Sequence, residues 1–259
     1  MIFETLGEKK NPAVLIIHGM FCSAKAVKLW AEPLKNDFYI IIPTLSGHYA
    51  DAPDYISKQN EAAEILSYLK HHGIAELALL HGTSMGAEVA FEVCRQSTIT
   101  IKKCFFDGGP FFHFNPLFRK FMLKKWHSMA SVLNSDDPEA AAEKLLNSSM
   151  IKWMSGNKPE KYRTTLFSMI DKNRKFTEAT LHNVNETCYT FEFPEMSKEI
   201  QKTFFFLYSD NEPAHMSKKN MLKHYPNAKF KDMHNLGHCG FQMSKPNEYA
   251  EFIRDFIKK

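Results

Sequence analysis

The first half of the chain alternates short apolar runs with stretches of helical spacing, and that alternation leaves few folds open. AVLIIHG (13–19), FYIIIP (38–43), LALLHG (77–82) and IKKCFFDGG (101–109) are short, rich in aliphatic or aromatic residues, and end in Gly or Pro, as strands do. Between them, SAKAVKLWAEPLK, YISKQNEAAEILSYLKHHG and SMGAEVAFEVCRQS repeat apolar residues every three or four positions, the spacing of an amphipathic helix. Strands joined through helices run parallel, and a parallel sheet needs cover on both faces. The expected class is therefore α/β, a mostly parallel, doubly wound sheet, with MIFETL at the start as an extra edge strand.

The alternation stops at Gly109-Pro110 and resumes near Lys202. NPLFRKFMLKKWHSMASVL, DDPEAAAEKLLNSSMIKWM and PEKYRTTLFSMIDKNRKF carry helical spacing, and only TCYTFEF is ambiguous between helix and strand. So long and apolar a segment is neither a crossover nor a linker. It is expected to be a helical cap, residues 110–197, inserted into a core made of residues 1–109 and 198–259. The core then continues with a strand in TFFFLYS, a helix in MSKKNMLKHY, a strand in AKFKDM and a last amphipathic helix in NEYAEFIRDFIKK.

The corner between LALLHG and the next helix is GTSMG, with Ser84 at its centre and Gly82 and Gly86 two positions either side. Glycines there let backbone approach closely, as a nucleophile held on a sharp strand-to-helix turn requires. The pattern G-x-S-x-G in that context makes Ser84 a candidate nucleophile.

Other chemistries lack their signatures. There is no H-E-x-x-H, no G-x-x-x-x-G-K-[ST] and no G-x-G-x-x-G, so no metal or nucleotide cofactor is expected. A net charge of +4 is too mild and dispersed for nucleic acid as the main partner. No run reaches the roughly 18 apolar residues of a membrane span, and the opening residues lack a signal-peptide pattern. Five cysteines, odd in number and without a C-x-x-C pair, fit a reducing, cytoplasmic setting; Cys22 and Cys239 read best as small buried fillers.

HGM after an early strand, PTLSGH after the next, GTSMG, the acidic loop YSDNEP and LGHCGF near the C-terminus follow one another in an order that resembles the α/β-hydrolase family. The resemblance covers nearly the whole chain except residues 110–197. It implies Ser84 as nucleophile, His238 as base and a carboxylate from YSDNEP as the third member. Glu212 is the expected acid, with Asp210 the alternative and Asp107 a more distant one. His18, His81 and His234 compete with His238 and read better as loop or supporting histidines. By the same resemblance the backbone N–H groups of Met20 and Met85 form the oxyanion hole.

The activity so implied is hydrolysis of a carboxylic ester with a small or medium apolar acyl or aromatic group, a small-molecule substrate, through an acyl-enzyme. A thioester, an amide or a carbon–carbon bond is the alternative, as is a ligand-binding protein without turnover. Phe111, Phe112, Phe114, Phe118, Phe121, Met122, Trp126 and Met129 divide between packing the cap and lining its pocket. Arg119, Lys120, Lys124 and Lys125 read as a solvated helix face rather than a membrane or anion-steering surface.

Overall fold

A computed structural model describes residues 1–259. Seven strands form the main sheet: β1 (Ile2–Leu6), β2 (Ala13–Ile17), β3 (Tyr39–Thr44), β5 (Leu79–Thr83), β7 (Cys104–Asp107), β8 (Phe204–Ser209) and β9 (Lys229–Met233), in the order β1-β3-β2-β5-β7-β8-β9. Only the β1–β3 pairing is antiparallel, so MIFETL is the edge strand its position suggested. Two short strands, β4 (Glu76–Leu77) and β6 (Thr100–Ile101), pair apart from the main sheet.

The strand sequences explain why both faces are covered. Along β2, Ala13, Leu15 and Ile17 join a large core on one face while Val14 and Ile16 join a smaller core on the other. β7 repeats the division, with Cys104 and Phe106 on the first face and Phe105 on the second. This is the period of two expected of a strand whose sides are both dry. The smaller core is closed by α1 (Ala24–Ala31) and α12 (Pro246–Lys258), whose Trp30 and Tyr249 rings meet edge to face at 4.9 Å. On the other face α2 (Lys58–His71) and α3 (Met85–Gln96) lie side by side. Phe91 of α3 sits there among the rings of Phe106, Phe111, Phe191, Phe204 and Tyr225.

Between β7 and β8 the chain makes α4 (Pro116–Leu133), α5 (Pro138–Asn147), α6 (Ser149–Met154), α7 (Arg163–Met169) and α8 (Glu178–Tyr189). Their starts are set by caps: Asn115, Asp137, Ser148 and Thr177 each accept a first-turn N–H through the side chain. The ambiguous TCYTFEF resolves as the end of α8 followed by irregular backbone, with a lone bridge from Thr190 to His113 in place of a strand. Cys188, Tyr189 and Phe191 are buried from that turn, and Phe193 then takes a positive φ of 54° that breaks any extended run. α9 (Lys198–Lys202) leads into β8, α10 (Lys218–His224) joins β8 to β9, and α11 (Gly240–Ser244) follows β9. No helix is long and apolar enough to cross a membrane.

Candidate active site

Ser84 stands at the junction of β5 and α3 with φ 53° and ψ −125°, a conformation that costs a non-glycine residue of order 1–3 kcal/mol. Its N–H donates to the Asp107 carbonyl of the neighbouring strand, 2.8 Å away, which fixes the corner to the sheet. Gly82 and Gly86 make the turn possible by close approach. A Cβ on Gly86 would lie 2.3 Å from the His18 carbonyl oxygen, and one on Gly82 would lie 2.3 Å from the Gly86 carbonyl oxygen.

His238 reaches this corner from the loop after β9. Its Nδ1–H donates to Glu212 Oε2 at 2.7 Å, because an ionised carboxylate can only accept. That leaves Nε2 as the acceptor for the Ser84 hydroxyl, at 2.8 Å. Glu212 is itself held: Oε1 accepts the Ser209 N–H at 2.6 Å, and the carboxylate is buried. Sequence reasoning put Glu212 before Asp210, and the structure brings Glu212 to His238. Asp210 is exposed and faces away, accepting from the Asn235 N–H at 3.1 Å and meeting His234 Nδ1 at 3.3 Å.

The competing histidines are elsewhere. His18 is fully buried, accepts the Leu45 N–H on Nε2 at 3.1 Å, and is kept neutral by burial, its pKa lowered to about 4. His81 is pulled down to about 3 by burial and contacts the Tyr249 hydroxyl at 2.7 Å. His234 is exposed.

Behind the serine lies a network that sequence spacing did not disclose. Asp107 Oδ2 accepts from Gln242 Nε2 at 2.6 Å and from the Tyr249 hydroxyl at 2.9 Å. Burial and the nearby Glu212 charge push the Asp107 carboxyl up to about 7. The His238 loop is also tied to the inserted helices: its N–H donates to the Met154 carbonyl at 2.6 Å, and Tyr162 Oη donates to its carbonyl at 2.9 Å. Nothing in the spacing of Tyr162 or Gln242 marks either residue; only the tertiary contact does.

Of the two proposed oxyanion donors, Met85 opens α3, so its amide has no partner one turn back in the helix. Met20 follows Gly19, where a Cβ would come within 3.8 Å of Ser84 Oγ, and Met20 lines the same cavity as Ser84. The Met85 side chain is buried and the Met20 side chain half-buried.

The cavity that opens at Ser84 has a volume of about 140 Å³ and no Asp, Glu, Lys or Arg in its wall. Eight of the chain's 13 methionines line it, with Phe112, Phe114, Phe118 and Trp126. Flexible thioethers fill irregular space and adapt to different apolar shapes. A larger polar cleft of about 500 Å³, walled by Lys58, Glu88, Glu92 and Arg95, includes neither Ser84 nor His238.

Glu212, His238 and Cys239 offer side-chain donor atoms within 4.8 Å of one another. Both His238 nitrogens are already engaged, and burial with the Asp107 and Glu212 charges holds the Cys239 thiol protonated, far above its usual range.

No family model and no curated protein matches the chain. Solved structures do. MenH from S. aureus superposes with a TM-score of 0.78 at 16% identity, covering 99% of this chain and 97% of that one. A thermophilic esterase from Thermogutta terrifontis gives 0.73 at 19%, covering 99% and 92%. The esterase RhEst1 from a Rhodococcus species gives 0.70 at 18%, covering 99% and 94%. At such identities the likeness is one of fold.

Proposed function

The chain has the α/β-hydrolase fold, and from that fold and the Ser84 corner we propose that it is a serine hydrolase that cleaves carboxylic esters of small or medium apolar acyl or aromatic groups. The observation that carries this is the unbroken relay from Ser84 Oγ through His238 to buried Glu212, opening into an apolar cavity without a charged wall residue.

In the proposed reaction Ser84 Oγ attacks the ester carbonyl as its proton passes to His238 Nε2. The amides of Met20 and Met85 hold the alkoxide of the tetrahedral intermediate. His238 returns the proton to the departing alcohol, leaving an acyl group on Ser84. Water then attacks that acyl carbon, giving its proton to His238, and Ser84 leaves with it. Glu212 keeps the Nδ1 proton in place and stabilises the imidazolium while it exists. Residues 110–197 serve as the cap, since most of the cavity wall comes from them.

The named esterases that share the fold support an ester over other acyl bonds. A fluorophosphonate probe tests the nucleophile: the native chain should be labelled and Ser84→Ala should not. A panel of p-nitrophenyl esters and matching thioesters tests the bond. Faster turnover of thioesters throughout would replace the ester reading, and labelling of Ser84→Ala would end the whole assignment.

A further inference from the structure

The mouth of the cavity differs from the rest of the surface. Trp153 and Met216 line the cavity yet are 52% and 64% exposed, which puts them at its rim. Beside the wall residue Phe118, the outer stripe of α4 carries Leu117 at 79% and Phe121 at 54% exposure. These are four of the five most exposed large hydrophobic side chains in the molecule. Exposed apolar side chains of this size, paired on α4 and again at the rim, mark a surface that has a partner.

The elements that carry them are one-sided in charge. α4, α6 and the segment from Pro213 to His224 that bears Met216 and α10 hold eight of the chain's 33 Lys and Arg residues and none of its 29 Asp and Glu. The remainder of the chain is therefore net acidic although the whole is +4. Arg119 and Lys218 are paired, with Glu186 and Asp232. Lys120, Lys124 and Lys125, around Phe121, and Lys152, beside Trp153, are exposed and absent from every ion pair. A stripe of apolar side chains flanked by unpaired lysines is what lies in the interface of an anionic bilayer, rings among the acyl chains and ammonium groups at the phosphates.

We propose that the cavity rim at Trp153 and Met216, together with the α4 stripe of Leu117 and Phe121 and the lysines Lys120, Lys124, Lys125 and Lys152, docks on anionic lipid membranes. A soluble anion would satisfy the lysines and leave the four apolar side chains in water. A neutral interface would do the reverse. Docking of this kind sets the cavity opening against the lipid, so that an apolar ester enters Ser84's cavity without crossing water.

The test is sedimentation of the full chain with phosphatidylcholine vesicles, with and without phosphatidylglycerol at about one part in three. Binding needs no turnover, so the result stands apart from the hydrolase reading. The protein should partition onto the anionic vesicles, weakly or not at all onto neutral ones, and less as salt shortens the screening length. Trp30 and Trp126 are buried, so a blue shift on binding reports Trp153. Replacing Lys120, Lys124 and Lys125 together by Glu should weaken partition about a hundredfold or more. The same variant should hydrolyse a soluble short-chain ester as before. Phe121→Ser should abolish the salt-resistant part of binding. The proposal fails if anionic vesicles do not bind, if neutral vesicles bind equally, or if the triple substitution leaves partition unchanged. It also fails if inorganic phosphate binds the lysines and vesicles do not.

Discussion

Glu212→Gln is the sharpest perturbation of the proposed relay, because its effect follows from distances. The carboxylate lies 2.7 Å from His238 Nδ1, and neither side chain is more than one-tenth exposed, so solvent screens the pair little. At that separation and an effective dielectric constant near 20, opposite unit charges attract by about 6 kcal/mol. The imidazolium shares its charge between two nitrogens, which reduces the figure to about 4–6 kcal/mol, or three to four powers of ten in rate. The hydrogen-bond pattern points the same way. A glutamine carbonyl would keep the Ser209 N–H bond and turn its amide toward Nδ1. The ring would then carry its proton on Nε2, donor facing donor at Ser84. Asp210→Asn, by contrast, disturbs only Asn235 and His234 and should change turnover less than about twofold. Steady-state hydrolysis of a p-nitrophenyl ester, with circular dichroism to check folding, compares the two. Retention of more than about a tenth of turnover by a folded Glu212→Gln protein, or an equal loss in Asp210→Asn, would refute this reasoning.

Gly86→Ala puts a Cβ 2.3 Å from the His18 carbonyl oxygen and 2.6 Å from that of Ile17. Backbone must shift, so urea unfolding should show a loss of at least about 3 kcal/mol; a native midpoint would mean the corner is looser than described. Tyr162→Phe removes the donor to the His238 carbonyl and should lower kcat several-fold, at a stability cost of about 1–2 kcal/mol; unchanged kcat would show that the loop needs no such anchor. Burial raises the Glu88 carboxyl from 4.5 to about 7 in spite of Lys58, 2.6 Å away. The folded chain thus holds a proton that the unfolded chain has released, so this group's contribution is present below 4.5 and is lost as pH rises through 7. Relative to Glu88→Gln, the native protein should lose about 3 kcal/mol between about pH 4.5 and 8, and a pH-independent difference in urea midpoints would contradict that.

The parts of the molecule that the sequence disclosed are those where one local rule dominates. β2 and β3 are apolar on both sides because both sides are buried, and the alternation with α1, α2 and α3 followed from that. Ser84 was visible because its turn needs glycine on both sides. Glu212 was chosen on its place before Pro213, and the choice of carboxylate depends on a loop whose course no residue pattern dictates. TCYTFEF misled by composition: its β-branched and aromatic residues are used to fill the core from a helix end. IKKCFFDGG divides in two, because Lys102 and Lys103 separate the short β6 from β7. Tyr162, Gln242 and Tyr249 act through partners far along the chain, 76, 135 and 142 residues away, and such contacts leave no trace in local spacing.

The insertion between β7 and β8 also has a consequence for synthesis. Cys104 pairs with Phe204, and Phe106 with Phe206, so one edge of β7 has no partner until the ribosome has made almost a hundred further residues. At about 5–20 residues per second that interval is roughly 5–20 s. Throughout it, Phe105 and Phe106, both fully buried in the finished protein, flank an open strand edge. An open edge of that composition pairs readily with other chains. Yield of soluble protein should therefore depend on how quickly residues 108–203 are translated, and on chaperones that occupy nascent chains. Slowing codons within that stretch would lower it, and faster ones would raise it.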